Sequence, residues 1–471
     1  MEGSKLAVVI MAAGKGTRLK SRRPKVLHEI GGKPLLAHVI AAASQIAAPG
    51  DIYAVVGHQA ERVKDAVAAT GIRFVEQAEQ RGTGHAIQCA REAIAGYEHV
   101  LVLSGDVPLI GAETIRELWQ FHLDEKAAMT ILAAVPGDPS GYGRVLRGGP
   151  PGSKEWVEVK AIVEQKSMTP EQKNIWEINS GIYAFRTAPL LKELGKLTVN
   201  NAHGELYLTD TAGLLRTAGE RVVALEAGNV AEVRGANTIA ELVALDATLR
   251  ARAATRLMAD GVTIFRPETC VIDADVEVGS DTVIEPFVQL LGRTRIGSDC
   301  LIRSYAVVEN CTLGNSVLIR QNCVLAESSV ADGAKIGPFA HLRPGSEIGE
   351  GAHVGNFVET KKAKLGKGAK ANHLTYLGDA EVGEGSNIGA GVITCNYDGI
   401  NKHQTHIGKG VFVGSDSTLV APISVEDGAY IGAGSCITRD VPAGSLAVSR
   451  ARQITREGWV AARRARTAAK E

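Results

Sequence analysis

Apolar residues in the second half of the chain recur at every sixth position. One run passes through Ile407, Val413, Leu419, Val425, Ile431 and Ile437, and an earlier run through Ile336, Leu342, Ile348 and Val354. An α-helix would give a spacing of about 3.6 and a flat strand a spacing of two. A spacing of six is typical of a parallel β-helix, in which each short strand turns one aliphatic residue inward. We therefore predict a parallel β-helix over roughly residues 262–440.

The first half follows a different pattern, in which short apolar runs alternate with amphipathic segments. The predicted strands are 6–11, 52–57, 101–104 and 129–135, and the predicted helices are 35–47, 59–69, 84–95 and 112–121. This alternation predicts a mostly parallel sheet covered by helices.

A stretch rich in Ala and Leu, residues 238–258, has no Gly or Pro and predicts one long helix. We expect a first domain at 1–239, a linker helix at 240–260 and a second domain at 261–471. The second domain ends in a basic tail from Gly458, which predicts a solvated helix.

Length and composition narrow the class of protein. A chain of 471 residues is too long for one core, and its 45% hydrophobic content is typical of a globular protein. The formal net charge is zero, which argues against a nucleic-acid partner. No segment is apolar for long enough to predict a membrane span. Seven dispersed cysteines are an odd number and favour reduced thiols in the cytoplasm.

A glycine-rich loop follows the first predicted strand. Its sequence, Ala12-Ala13-Gly14-Lys15-Gly16-Thr17-Arg18-Leu19, lets backbone N–H groups approach an anion and form a phosphate nest. Arg18 and Lys25 can add two cations where phosphate charge shifts. The loop matches neither the Walker nor the Rossmann fingerprint. Taken alone, it is equally well read as a Gly-rich turn with surface charges.

Further motifs follow in order along the first half. They are Gln77 with Gly82-Thr83-Gly84, Ser104-Gly105-Asp106-Val107-Pro108-Leu109, Gly141-Tyr142-Gly143-Arg144, Ile162-Val163-Glu164 and Glu177-Ile178-Asn179-Ser180-Gly181. With the loop and Pro24-Lys25, they resemble the signature of sugar-phosphate nucleotidyltransferases. In that reaction a sugar 1-phosphate attacks the α-phosphate of a nucleoside triphosphate, so Mg²⁺ and cations must neutralise two anions. Asp106, just past a strand, could supply a carboxylate and Asn237 an amide oxygen.

The β-helix half carries a second set of motifs. They are Lys361-Lys362, Asn372-His373-Leu374-Thr375-Tyr376-Leu377-Gly378-Asp379, Asn387-Ile388-Gly389-Ala390-Gly391 and Asn396-Tyr397-Asp398-Gly399 with Lys402-His403. With these, nearly the whole chain is similar to the bacterial family of bifunctional N-acetylglucosamine-1-phosphate uridyltransferase / glucosamine-1-phosphate N-acetyltransferase enzymes. The resemblance implies an α/β fold: a Rossmann-like nucleotidyltransferase domain, a long linker helix and a left-handed parallel β-helix of hexapeptide repeats.

The resemblance also implies residue roles in uridyl transfer. The nucleotide would contact Met11, Ala12, Ala13, Gly14 and Lys25, with Gln77, Gly82 and Thr83 on the uracil side. The sugar would be held by Gly143, Glu164, Asn179 and Asn237, and the other substrate-binding residues would be Ser104, Gly105 and Asp106. Arg18 and Lys25 would assist the chemistry, with Asp106 and Asn237 on Mg²⁺. One departure is Ser104, which stands where the family often has Tyr and leaves a side-chain role there open.

For acetyl transfer, the resemblance places the sugar phosphate on Arg343 and Lys361 and the sugar on Tyr376 and Asn387. The acetyl-CoA site would be lined by Ala390, Asn396, Tyr397, Ser415, Ala433 and Arg450. His373 would be the general base, because a protonated amine cannot attack a thioester and imidazole is the usual proton acceptor near neutral pH. We interpret His353, His403 and His406 as structural.

By this resemblance the protein acetylates glucosamine 1-phosphate with acetyl-CoA and then transfers uridylyl from UTP, making UDP-N-acetylglucosamine for cell-envelope polymers. Its partners would be small-molecule substrates and two further copies in a homotrimer, with acetyl-transfer sites between subunits. Two alternatives remain at this point. One is a sugar-1-phosphate nucleotidyltransferase whose β-helix is regulatory, and the other is a non-catalytic assembly subunit that kept both folds.

Overall fold

The computed structural model describes residues 5–201 and 204–469, which form two compact units divided between Leu249 and Arg250. The predicted helix at 238–258 is confirmed as Ile239–Ala259, and the boundary between the units falls within it. No described helix is both long and apolar enough to cross a membrane.

The first unit is built on a mixed sheet with helices packed against it. Along the main path the strands are ordered Val222–Glu226, Met129–Ala134, Ile178–Arg186, His99–Ser104, Leu6–Met11, Ile52–Val56 and Arg73–Glu76. Only Ile178–Arg186 runs antiparallel to its neighbours on this path, so the predicted mostly parallel sheet is confirmed. Strands Arg144–Arg147 and Val159–Val163 lie off this path, and Glu29–Ile30 pairs with Lys33–Pro34.

The helices of this unit are Leu35–Ala43, Ala60–Val67, Thr83–Cys89, Arg91–Ile94, Ala112–Asp124, Thr187–Leu194 and Thr211–Thr217. The prediction of one helix over 84–95 is wrong, since the ψ angle of Ala90 opens to −1° and a new turn begins there. Two apolar cores lie on the two faces of the sheet, because alternate residues such as Val8 and Val9 point to opposite sides.

The second unit is a parallel β-helix with three faces. The first face contains Thr263–Ile264, Val283–Ile284, Leu301–Ile302, Leu318–Ile319, Lys335–Ile336, His353–Asn356, Lys370–His373, Asn387–Ile388, Phe412–Val413, Tyr430–Ile431 and Leu446–Ala447. The second contains Val271–Ile272, Gln289–Leu291, Val307–Glu309, Val324–Ala326, His341–Leu342, Glu359–Lys361, Tyr376–Gly378, Ile393–Cys395, Thr418–Val420 and Cys436–Ile437. The third contains Glu277–Val278, Arg295–Ile296, Thr312–Leu313, Ser329–Val330, Glu347–Ile348, Lys364–Leu365, Ala380–Val382, Thr405–Ile407 and Ile423–Val425.

The residues of the six-residue pattern fill the β-helix interior. Ile336, Val354, Val413 and Ile431 are completely buried, each stacked in register on the coil before it. The coils run on to Ala447, slightly past the predicted end at 440. The tail forms the exposed helix Trp459–Ala468, as predicted from its composition.

Candidate functional site

A cleft of about 550 Å³ opens at the carboxyl ends of the central strands of the first unit. Met11 and Ser104 are register partners at the ends of two adjacent parallel strands, so the loops that follow them emerge at the same edge of the sheet. The cleft is lined by Met11, Ala12, Ala13, Gly14, Lys15, Gly16, Thr17, Lys25, Val26, Gln77, Gln80, Gly82, Thr83, Ala86, Ser104, Asp106 and Glu205. Most nucleotide contacts implied by the resemblance therefore share one cleft.

The glycine-rich loop folds tightly against Lys25. Gly16 has a φ of +61°, and a Cβ there would lie 2.6 Å from the Cβ of Lys25. A side chain at this position would therefore be strained and would also push Lys25 away. The glycine brings the Lys25 ammonium to the floor of the cleft, where only 14% of its side chain is exposed.

Two oxygen groups from distant parts of the chain converge on this ammonium. Lys25 Nζ forms an ion pair with Asp106 and donates a hydrogen bond of 2.9 Å to Asn237 Oδ1. Arg18 donates to the same Asn237 oxygen over 2.6 Å. The first unit thus brings together all four residues that sequence reasoning placed on phosphate or Mg²⁺.

Asn237 is held in place by the start of the long helix. The Glu241 carboxylate accepts the N–H groups of Asn237 and Thr238, each at 2.8 Å, while Thr238 Oγ1 accepts the Glu241 N–H at 3.2 Å. This reciprocal arrangement is a capping box. Because Glu241 fixes the backbone of Asn237, the helix start positions an oxygen for the site.

The oxygen set fits a magnesium ion. Asp106 and Asn237 already direct one carboxylate oxygen and one amide oxygen at a single cation, the Lys25 ammonium. No group of three His, Cys, Asp or Glu side chains in the described residues could hold a metal. Mg²⁺ typically takes only one or two protein carboxylates and completes its shell with water and substrate phosphate.

A buried amide orders the loop that is expected to contact the base. Gln77 is 3% exposed and donates to the Gly82 carbonyl at 3.0 Å. Gly82 has a φ of +109°, and a Cβ there would lie 2.5 Å from the carbonyl oxygen of Leu206. The Thr83 hydroxyl oxygen accepts the Leu208 N–H at 3.0 Å. Residues 206–208 therefore close against this loop.

Gly143, Glu164 and Asn179 form a separate group. The Asn179 N–H donates to the Gly143 carbonyl over 2.9 Å, and a Cβ on Gly143 would lie 3.6 Å from Glu164 Oε2. None of the three is among the described residues that line the cleft above. Ser104 lies beside this group, with its Oγ 3.3 Å from the Cβ position of Gly181. The structure thus places Gly143, Glu164 and Asn179 in a group of their own, outside the residues that line the cleft.

In the second unit, His373 lies at the end of a first-face strand, close to the corner where the chain turns into the second face. Tyr376 begins the next strand, and Asn387 is the register partner of Lys370 on the following coil. His373 Nδ1 lies 2.6 Å from Asn356 Oδ1. Because the amide oxygen can only accept, the imidazole donates here, and its Nε2 is left with a lone pair.

A group of cations lies on the neighbouring second face. Arg343 pairs with Glu359 at 2.8 Å, and Glu359 is the register partner of Tyr376. The adjacent Lys402 ammonium lowers the pKa of Lys361. Two ammonium groups this close repel each other, so an anion such as a phosphate would relieve the repulsion.

The residues implied for acetyl-CoA follow successive coils. Ala390, Ser415 and Ala433 occupy equivalent corner positions, since each carbonyl oxygen accepts a hydrogen bond from the chain beside it: from Asp416 at 2.8 Å, from Gly434 at 2.8 Å and from Arg450 Nη1 at 2.7 Å. The three small side chains leave a narrow strip that a long, thin ligand could follow.

The loop between the strands at 393–395 and 405–407 is fixed by its own side chains. Asp398 accepts the N–H groups of Ile400 and Asn401 at 2.8 and 2.7 Å, and its other oxygen lies 2.7 Å from His403 Nε2. The backbone N–H of Asn401 and then the His403 ring hold the pKa of Asp398 at about 2. The loop presents Tyr397, which is 59% exposed.

Sequence reasoning gave no site role to Lys402, Asn356 or Glu241. Lys402 stands within a quoted motif, but its closeness to Lys361 depends on a loop fold that the spacing does not determine. Asn356 lies 17 residues before His373. That is close to one coil of three six-residue units, so the pattern itself was a usable signal.

Family models match both halves of the chain. A MobA-like NTP transferase domain matches residues 8–166. The six-repeat bacterial transferase hexapeptide matches 275–310 and 327–362, and the hexapeptide repeat of succinyl-transferase matches 404–439. The β-helix is therefore of the left-handed, hexapeptide type, as expected.

Relatives match along almost the full length. Proteins named bifunctional protein GlmU are 60% identical in Koribacter versatilis and 49% identical in Solibacter usitatus, and each alignment covers 98% of this chain. They cover 98% and 97% of those proteins. A protein of the same name from Pelobacter propionicus is 46% identical over 96% of this chain and 98% of its own length. The chain belongs to the GlmU family of bifunctional uridyltransferases and acetyltransferases.

Proposed function

We propose that the two activities of this bifunctional enzyme reside in separate units. The first unit would transfer uridylyl from UTP to N-acetylglucosamine 1-phosphate, and the second would acetylate glucosamine 1-phosphate with acetyl-CoA. The observation that carries the first assignment is the contact of Lys25 with both Asp106 and Asn237. The assignment is tested by measuring both reactions on one preparation, as pyrophosphate release and as free thiol.

In uridyl transfer, Arg18 and Lys25 would neutralise charge that moves from the α-phosphate to the leaving pyrophosphate. Asp106 and Asn237 would hold Mg²⁺, which would supply positive charge to stabilise the negative charge of the phosphates. Backbone groups of residues 12–14 would receive the phosphates, and the Gln77 loop would contact the uracil. Glu164 and Asn179, beside Gly143, would bind the sugar.

In acetyl transfer, Arg343, Lys361 and Lys402 would bind the sugar phosphate, and Tyr376 and Asn387 the sugar ring. His373 Nε2 would take the proton of the substrate amine as nitrogen attacks the thioester carbonyl. The strip of Ala390, Ser415 and Ala433, with Arg450, would hold acetyl-CoA. A regulatory β-helix would need none of these groups, so acetyl transfer by the isolated second unit excludes that alternative.

We propose a domain boundary at residue 249 for functional fragments. Leu245 is buried with Ile30 and Leu35 in a small core of the first unit. The Gly31 N–H also donates to Asp246 Oδ1 at 2.8 Å. A fragment ending at 239 lacks these contacts and also lacks Glu241, which fixes Asn237.

We expect the fragment 1–249 to fold and keep uridyl transfer, and 250–471 to keep acetyl transfer. The fragment 1–239 should be less stable by about 2–5 kcal/mol, since loss of one buried Leu alone costs that much. Urea unfolding of the two amino-terminal fragments, with pyrophosphate assays, checks this. Equal stability and activity of 1–239 and 1–249 would contradict the proposed boundary.

We propose that the β-helix assembles as a homotrimer. Phe287, Tyr305, Phe339, Phe357 and Leu374 form a corner column, each with a φ between +52° and +67° and each 43–63% exposed. The four aromatic rings stack in two pairs, with centroids 5.1 Å apart for Phe287 and Tyr305 and 5.3 Å apart for Phe339 and Phe357. Residues with large apolar side chains rarely adopt a positive φ. An apolar column exposed to water also gains no stabilisation from burial. Burial against another copy would explain the column, which leads directly to His373.

Replacing Phe339 and Phe357 together by Asp should therefore dissociate the trimer. Burial of each Phe side chain contributes about 1.5–3 kcal/mol to the free energy of assembly. The double variant would lose this contribution at every subunit interface of the trimer. Acetyl transfer should fall with trimer content in sedimentation experiments, while uridyl transfer stays intact. The control replaces Thr312 and Ser329 together by Asp, which adds the same two charges at exposed positions on the third face. An intact trimer in the double variant would refute the assignment of the corner column to the interface.

We propose that the enzyme acts in the cytoplasm. All seven cysteines are free, and Cys270, Cys300, Cys311 and Cys323 are buried in the β-helix core. Burial raises the pKa of each of these four thiols. Protonated thiols packed among aliphatic side chains are suited to a reducing compartment.

A further inference from the structure

Asn356 holds the imidazole of His373 in a defined orientation. The two residues are register partners on neighbouring coils, and His373 Nδ1 lies 2.6 Å from Asn356 Oδ1. The backbone of His373 is also fixed, because its carbonyl accepts the Thr375 hydroxyl at 2.7 Å and the Gly391 N–H at 3.3 Å. Because two hydrogen bonds hold the His373 carbonyl, the contact with the Asn356 amide determines the rotation of the imidazole ring.

The same amide selects the tautomer. A neutral imidazole carries its hydrogen on one nitrogen only, and the partner of one nitrogen decides the state of the other. Since the Asn356 oxygen accepts, the hydrogen belongs on Nδ1 and the lone pair on Nε2. The hydrogen bond therefore turns His373 into a proton acceptor at the nitrogen farther from Asn356.

The Asn356 amide oxygen carries no net charge, and this affects the pH range over which the His373 ring can accept a proton. A carboxylate in this position would stabilise the imidazolium and keep the ring protonated at higher pH. A protonated ring cannot accept the proton of the substrate amine. A neutral amide orients the ring without this electrostatic cost.

We propose that Asn356 is a positioning residue for acetyl transfer, setting the orientation and tautomer of the His373 base through a neutral acceptor. This proposal rests on the proposed role of His373. The substrate ammonium would lose one proton to His373 Nε2, and the resulting amine nitrogen would bond to the acetyl carbon. The carbon–sulfur bond would break, and the second proton that leaves the nitrogen would go to the departing CoA sulfur, giving the amide, the free thiol of CoA and a protonated His373. Asn356 would touch neither substrate.

Two substitutions separate orientation from charge. Asn356→Ala removes the acceptor and should lower kcat for acetyl transfer about 10–100-fold, the same range as for groups that orient metal-bound imidazoles. KM for both substrates should stay within about twofold, because affinity does not depend on the tautomer. Asn356→Asp keeps an acceptor but adds charge. It should retain more activity than the Ala variant, with the acid limb of its pH–rate profile moved about one unit or more to higher pH.

The control is Gln321→Ala, which removes an amide from the same column two coils earlier. Sedimentation and circular dichroism on each preparation exclude loss of assembly as the cause. If His373→Ala loses acetyl transfer but both Asn356 variants keep the wild-type kcat and pH profile, the inference about Asn356 is wrong. If His373→Ala itself keeps activity, the base assignment fails first. A loss in Asn356→Asp equal to that in Asn356→Ala, with no shift of the acid limb, would indicate a merely structural residue and refute the proposal.

Discussion

Replacing Asp106 by Ala is expected to lower uridyl transfer by at least about a hundred- to a thousandfold, the usual cost of removing one group that stabilises transition-state charge. Acetyl transfer in the same preparation should stay near wild type, because the residue lies in the first unit. Lys25 contacts both Asp106 and Asn237. Of these two contacts, the Asp106 carboxylate carries a full negative charge, whereas Asn237 adds a neutral amide oxygen.

The loss has two physical parts that a second variant separates. Without Asp106, the site loses a ligand for Mg²⁺, and Lys25 loses the partner that holds it at the floor of the cleft. Asp106→Asn keeps an oxygen for Lys25 but removes the charge. Its uridyl transfer should recover partly at high Mg²⁺ concentration, because weakened metal affinity is offset by mass action.

The matched control is Asp65→Ala, which removes an exposed carboxylate on the helix Ala60–Val67 of the same unit. Pyrophosphate release should be measured for all three variants across a Mg²⁺ titration. Near-normal uridyl transfer in a folded Asp106→Ala protein would remove Asp106 from the metal site. Loss of both activities would instead mean that the two sites are coupled.

The β-helix was predictable because its pattern is local and repetitive. Ile336, Val354, Val413 and Ile431 each occupy an interior position fixed by the coil length, so their spacing alone determines the architecture. The helix over 84–95 was less predictable. Its sequence has suitable apolar spacing throughout, but a single backbone angle at Ala90 ends the first segment.

The candidate sites depended on contacts that no local pattern records. Arg18 and Asn237 are 219 residues apart, and only the sheet and the capping box of the long helix bring them together. The resemblance carried by the motifs identified the candidate site residues, whereas the structure shows which of these residues lie together. The closeness of the Lys361 and Lys402 ammonium groups likewise depends on the folded loop between two coils.

His373→Ala is expected to lower acetyl transfer by about a hundred- to ten-thousandfold, the contribution of a positioned general base. Uridyl transfer should not change, because the residue lies in the second unit. The KM for acetyl-CoA should barely move, since the base would contact the amine and not the cofactor. Raising the pH should partly restore the rate, because more of the substrate amine is then already neutral.

A histidine that merely packs between coils would behave differently. His373 is exposed, and its side chain contacts Asn356, so a structural role would appear as lower trimer content and melting temperature, with activity falling only in proportion. His406→Ala is the matched control, because this exposed ring pairs with Glu381 on the third face at 3.3 Å. Free thiol release across pH and sedimentation should be measured on the same preparations. Near-normal turnover in an intact His373→Ala trimer would require another group to take the proton, and Asn356 would then have no base to orient.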